Sequence, residues 1–315
     1  NTGVIDQDFA LTVGGTSSFT TLANNKMIHL LRDNAFTGAV SLNTTYAEVD
    51  GGNRATSYAL AKLKGGAGGT TLDVAASSVG GHLQLHSLNG ITDSGTVTVG
   101  NYLLVFTLDN NGSINLDQLE VDNFVRLVTH GTGNATVVND AHLKFGSTGT
   151  IGGNLAATAT TGHISFANNS SLTVTGTSSF TTSQTGADIT LNSANSAFTG
   201  AVTLNTTGSS GHALIDNGTT ALDIAASSVG GNLTLTSGNN ITDNGTVTVG
   251  GNLVATTDNN SGAINLGTLA VDGTVALATN SSGNATVVND AGLQLAASTV
   301  GGALSATATT GNISD

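Results

Sequence analysis

Apolar and small polar residues alternate with a period of two along most of the chain, as in Leu233-Thr-Leu-Thr-Ser237 and Leu253-Val-Ala-Thr-Thr257. That period sends successive side chains to opposite faces of an extended backbone, and it predicts many short, half-buried strands. The strands follow a schedule. Val-Gly-Gly and its variants begin at Val79, Val99, Val121 and Ile151, then again at Val229, Val249, Val271 and Val300. Steps of roughly 20 to 30 residues mark units too small to bury an apolar face alone, which must therefore stack on one another.

A longer period lies over the short one. Ile91-Thr-Asp-Ser-Gly-Thr-Val-Thr-Val-Gly100 returns as Ile241-Thr-Asp-Asn-Gly-Thr-Val-Thr-Val-Gly250, and Leu72–Gly81 and Gly133–Asp140 return as Leu222–Gly231 and Gly283–Asp290. The chain reads as a tandem duplication: a lead-in at 1–10, a first copy at 11–165, a linker at 166–171 and a second copy at 172–315. The first copy carries an insertion at about 46–71. The predicted fold is all-β, a parallel β-helix (β-solenoid) of roughly 14 rungs, at a mean rung of about 22 residues. Gly-Gly and Asn-Gly pairs at the corners are expected to supply positive φ, and stacked Asn and Thr to form ladders. Within the insertion, Thr56 or Ser57 as cap, Ala59, Leu60 and Leu63 as stripe and Gly65-Gly66 as terminator predict one short helix.

Comparing the copies separates core from surface. Inward residues agree: Leu103 with Leu253, Val125 with Val275, Leu127 with Leu277, Leu143 with Leu293. Outward residues differ. The second copy shows Asn232, Thr234, Thr236, Asn252, Val254 and Thr256 where the first has His82, Gln84, His86, Tyr102, Leu104 and Phe106, followed by Phe124, Arg126 and Lys144. Stacked at strand spacing, His82, His86, Tyr102, Phe106, Phe124, Arg126 and Lys144 make a binding or assembly face, with Tyr46, Arg54, Tyr58, Lys62 and Lys64 of the insertion as further contacts. Aromatic rings with cationic anchors suit a sugar or protein partner; cover of the strip by the insertion, a purely structural use, or a self-assembly contact is expected ahead of an external ligand.

His82 and His86 lie four apart on a strand, about 13 Å by the strand rise, too far to share an ion. They are expected to be solvated, and no metal or cofactor is predicted. Asp93, Asp243, Asp258 and Asp272 sit in turns without a calcium-binding nonapeptide, and are expected to be solvated carboxylates.

Composition narrows the classes. There is no Cys, Pro or Trp, 43 residues are Gly, and only 9% are charged. The net charge of −13 and the lack of a basic run argue against nucleic acid, no apolar stretch is long enough to span a bilayer, and the first residues lack the pattern of a signal peptide. Low charge with abundant Asn, Thr, Ser and Gly suits a bacterial surface or secreted protein. All seven Lys and Arg lie before residue 150, so convergent acid–base groups are scarce in the second copy.

The repeat Leu222–Leu253, with its Ala-Ala-Ser-Ser-Val-Gly-Gly-Asn-Leu-Thr-Leu core, resembles repeats of large bacterial exoproteins of the filamentous haemagglutinin type. The resemblance covers about 72–165 and 172–315 and implies a right-handed parallel β-helix, secretion through an outer-membrane partner, and adhesive or matrix roles. The amino-terminal secretion module of that family is not in this sequence. The functional expectation is a non-catalytic extracellular adhesive or structural fibre at the cell surface. Its partners would be other copies, stacked head to tail through uncapped ends or laterally, or host or matrix glycans or proteins. The alternative is a carbohydrate-active β-helix enzyme, a polysaccharide lyase or hydrolase.

Overall fold

The computed structural model describes residues 3–46 and 59–315, and forms two compact units, Asn1–Asn154 and Leu155–Asp315. The chain is an all-β parallel β-solenoid of about 14 turns. Among the described residues the sole helical element is a 3-10 turn, Ala67–Gly69, and no helix is long and apolar enough to cross a membrane.

In the first unit, one sheet stacks Ile5–Asp6, Ile28–Leu30, Ala61–Gly65, Leu83–Ser87, Leu103–Thr107 and Val125–Val128, all parallel. A second sheet runs through Ser17–Thr20, Val40–Thr44, Ser77–Val79, Val97–Val99, Ile114–Val121 and Ala135–Asn139. The second unit repeats the plan, one sheet holding Ile189–Asn192, Ala213–Asp216, Leu233–Ser237, Leu253–Thr257 and Thr274–Ala278, the other Ser178–Thr185, Val202–Thr207, Ser227–Val229, Val247–Val249, Ile264–Val271 and Ala285–Asn289. Residues 166–171 hold the end of strand Ile164–Phe166, a turn, and the start of Ser171–Val174.

The inward residues identified by matching the copies, Leu103, Val125, Leu127, Leu143 and their counterparts, are all buried. Edge-to-face aromatic pairs recur in both units, Phe19 with Phe36 at 6.2 Å and Phe180 with Phe198 at 5.6 Å, a packing favoured by the ring quadrupole.

Polar residues in inward register close the corners. Thr107, Thr129, Thr257 and Thr279 each donate a hydroxyl to the carbonyl of a glycine four or five residues on. Thr107, Thr129 and Thr279 also accept an N–H from the next rung, of His130, Gly152 and Gly301. Asn139 and Asn289 are buried brackets: each accepts the N–H of a neighbouring valine and donates to that valine's carbonyl and to a carbonyl three residues on. Burying an amide is tolerable because its polar atoms are matched in this way.

Three expectations are corrected. The helix is not formed: Ala61–Gly65 is a strand, hydrogen-bonded on both sides in register with Ile28–Leu30 and Leu83–Ser87, while Thr56 and Ser57 fall outside the described residues. Ala59, Ala61 and Leu63 all face the core, so the period of two governs, and sheet pairing outweighs a short helical pattern. The Val-Gly-Gly glycines are not positive-φ corners. They are required by close approach instead: a Cβ on Gly100 or Gly250 would meet the carbonyl of Gly80 or Gly230 one rung away. Positive φ is supplied by the Gly-Gly and Asn-Gly pairs ending in Gly66, Gly69 and Gly218, and by Asn and Ser at Asn110, Asn111, Asn260 and Ser261, of which Asn tolerates it through local hydrogen bonding. Lastly, the carboxylates of Asp93 and Asp243 are tied rather than solvated. Asp93 accepts the N–H groups of Asp117 and Gln118, and Asp243 those of Gly267 and Thr268, at the irregularity in each long strand. Burial holds the Asp93 carboxyl above its ordinary range, although the backbone N–H groups of Gln118 and Asp117 pull it down.

Candidate functional site

The strip sits on the outward face of the first unit's first sheet. Register aligns Lys62, Gln84, Leu104 and Arg126 in one column and Lys64, His86, Phe106 and Val128 in the next. Leu83 and Leu103 donate their N–H groups to the carbonyls of Tyr102 and Phe124, which sets His82, Tyr102 and Phe124 above one another just before their strands. Val125 pairs with Phe145, so Lys144 follows Phe124 in this column.

The rings stack along the column. His82 and Tyr102 lie 3.4 Å apart between centroids at 16°, Tyr102 and Phe124 4.7 Å at 11°, and His86 and Phe106 4.8 Å at 13°. Arg126 extends the second stack, its guanidinium carbon 5.3 Å from the Phe106 centroid, a cation–π distance. Its Nε donates to the Thr148 carbonyl at 2.8 Å, which fixes the planar group. Phe124 ends against the backbone of Gly146, where any Cβ would overlap the ring. The ring faces are thereby covered by one another, and the strip offers solvent its ring edges, the positive part of the aromatic quadrupole. A sugar seeking an open ring face would not find one within these stacks.

His82 is not a solvated histidine. It is 7% exposed, burial lowers its pKa to about 4, and its Nδ1 is buried without a hydrogen-bond partner. His86 shares a 2.6 Å hydrogen bond with Gln84 Nε2 and is lowered by burial, then by Lys64 and Lys62. Both rings are held neutral near pH 7. Lys64 pairs with Asp33 at 2.5 Å. Lys62, Lys64, Tyr102, Phe106, Phe124, Arg126 and Lys144 are each half-buried. Tyr46 lies against Gly80, at the corner one rung from the strip, whereas Arg54 and Tyr58 fall outside the described residues. Among the described residues no three His, Asp or Glu side chains gather as a group that could hold a metal ion.

The second unit replaces rings with hydrogen bonds in the equivalent column. His163 Nδ1 accepts the Asp188 N–H, Asp188 the His212 N–H, His212 Nδ1 the Asn232 N–H, Asn232 the Asn252 N–H and Asn252 the Thr274 N–H, at 2.8–2.9 Å. Sequence reasoning found the rings but missed Gly146, Gln84 and Asp33 as their supports. Gly146 was detectable, because the second copy has Thr274 and Ala296 where the first has Phe124 and Gly146.

The profile of a family described as repeats of unknown function (DUF5649) matches residues 1–43, 61–129, 132–205, 210–278 and 282–315. The chain belongs to this family. Most of the strip falls within the DUF5649 match at 61–129, and its counterparts Asn232, Asn252 and Thr274 within the match at 210–278. Residues 44–60, with Tyr46, Arg54 and Tyr58, lie outside every DUF5649 match. No curated protein and no solved structure matches the chain.

Proposed function

We propose that this DUF5649 chain is a non-catalytic structural or adhesive element of an extracellular fibre, in which the stacked rungs give length and the first unit's strip makes the contacts. The observation that carries this reading is that the two units share core, corners and ladders, yet the outward face of one sheet in the first unit carries stacked rings and cations, with His82, Tyr102 and Phe124 in place of Asn232, Asn252 and Thr274. A substitution that leaves the fold intact and adds aromatic and cationic side chains is best explained by contact with something outside the unit. Other polar groups are spent on holding rungs: Asp93 and Asp243 on backbone N–H groups, Glu120 on the Thr98 hydroxyl. The acidic, low-charge composition and the resemblance of Leu222–Leu253 to filamentous haemagglutinin-type repeats support placement at a bacterial surface.

The test is immunogold labelling of intact producing cells, paired with assay of the purified chain for release of sugar fragments from polysaccharides. Label on intact cells and no fragment release are expected. Label confined to permeabilised cells would overturn the surface placement. Fragment release abolished by substituting a carboxylate would replace the reading with the lyase or hydrolase alternative.

A further inference from the structure

With Lys64 paired to Asp33, the strip still carries Lys62, Arg126 and Lys144 on an acidic protein, and it favours a partner with negative charge. Two copies of the strip would repel each other. The chain itself supplies a complementary surface: the first unit sets all seven Lys and Arg among twelve Asp and Glu, whereas the second holds eight Asp and not one Lys or Arg.

We infer that the strip of one copy docks on the corresponding sheet of the second unit of another copy. This rests on the reading of the strip as a contact surface, and not on where the protein acts. Three features of that sheet fit. Apart from Leu214, which stands between Thr190 and Thr234, its outward residues are small, Thr190, Asn192, Thr234, Thr236 and Thr256, so a sheet bearing large rings can approach it closely. Asp188 and Asp216 stand on neighbouring rungs, and Asp258 is exposed where the sheet turns away. Val254 is 38% exposed on the same face, an apolar spot for the edges of Tyr102, Phe106 or Phe124. Both surfaces are ruled at the same strand spacing of roughly 4.8 Å, so contacts made on one rung recur on the next.

The magnitude is modest. From Lys62 to Lys144 the strip spans four rung steps, about 19 Å, by about 13 Å across the four residue steps from His82 to His86. Such an area, about 250 Å², is far below the ~800 Å² per partner of a stable interface. Docking is therefore weak, salt-sensitive and strengthened by repetition along an assembly. Each copy carries both faces, so a single contact leaves one strip and one receiving sheet free for a further contact, with the same copy or with a third.

Sedimentation velocity of the full chain across ionic strength tests this. Self-association at low ionic strength is expected, weakening about tenfold or more as salt screens the charges. Lys144→Glu, at a residue outside the ring stacks, should abolish it, as should Thr236→Lys on the receiving face. Thr286→Lys, on the other sheet of the second unit, should leave it intact. A monodisperse chain at every ionic strength would overturn the docking while leaving labelling of the cell surface to judge the adhesive reading separately. Association that survives Lys144→Glu, or survives Thr236→Lys, would overturn it too, because one of the two named faces would then be uninvolved.

Discussion

Asn289→Leu removes a buried bracket and keeps the branched shape of the side chain. In the native protein the Asn289 side chain, 1% exposed, accepts the Val271 N–H at 2.9 Å and donates to the carbonyls of Val271 and Gly292 at 3.1 and 2.8 Å. Leucine leaves one N–H and two carbonyls without partners, in a place where water enters only by opening the corner. Each orphaned group costs about 1–3 kcal/mol; with partial relaxation the three together should cost about 3–5 kcal/mol. At a urea m-value of about 2–3 kcal/mol/M, the unfolding midpoint falls by roughly 1–2 M. The control is Asn252→Ala, which deletes one exposed hydrogen bond to the Thr274 N–H that water can replace, and should cost under about 1 kcal/mol. Urea titrations followed by far-UV circular dichroism compare the two. If Asn289→Leu costs no more than Asn252→Ala, the bracket is not what closes the corner, and the reasoning fails.

Three further outcomes follow from the same geometry. Gly146→Ala should destabilise by about 1–3 kcal/mol through overlap with the Phe124 ring, and Phe124→Thr, the second copy's residue, should restore most of it in the double variant; equal effects in both backgrounds would refute the coupling. His82, with its folded pKa lowered to about 4 against an ordinary value near 6.5, binds its proton in the unfolded chain first. Stability is therefore full above about pH 6.5 and is lost as pH falls toward 4, by at most about 3 kcal/mol; His86 acts in the same direction, whereas the raised carboxyls of Asp93 and Asp140 oppose it at lower pH. In thermal melts across that range, His82→Asn should flatten the profile, and an unchanged slope would show that the proton goes elsewhere. Asp243→Ala, which frees the N–H groups of Gly267 and Thr268, should cost about 1–3 kcal/mol in the same urea assay, and a neutral result would return Asp243 to the role of a solvated turn residue.

The stacked strand architecture was readable because two periods, one of two residues and one of about 20 to 30, point the same way. The ring column was readable because duplication let one copy serve as the blank for the other. What escaped was polar. The inward Asn of Ala135-Thr-Val-Val-Asn139 and the inward Thr of Leu103-Leu-Val-Phe-Thr107 follow the parity of the core, yet a polar letter at the end of a strand reads as a surface letter unless parity is carried through it. Ala59, Leu60 and Leu63 fit a helical stripe and a strand equally well over so few residues, and only the neighbouring strands decide. The burial of His82 depended on Tyr102 lying flat against it, a contact between residues 20 apart that no local pattern contains.

The central claim is that the first unit's strip is an adhesive contact face. Beads coated with the wild-type chain, with Lys144→Glu and with Thr286→Lys test it most directly, by counting bead clusters and beads retained on producing cells. Clustering or retention by wild type and Thr286→Lys, and its loss in Lys144→Glu, is the predicted result. Equal behaviour of all three, whether adherent or inert, would contradict the account.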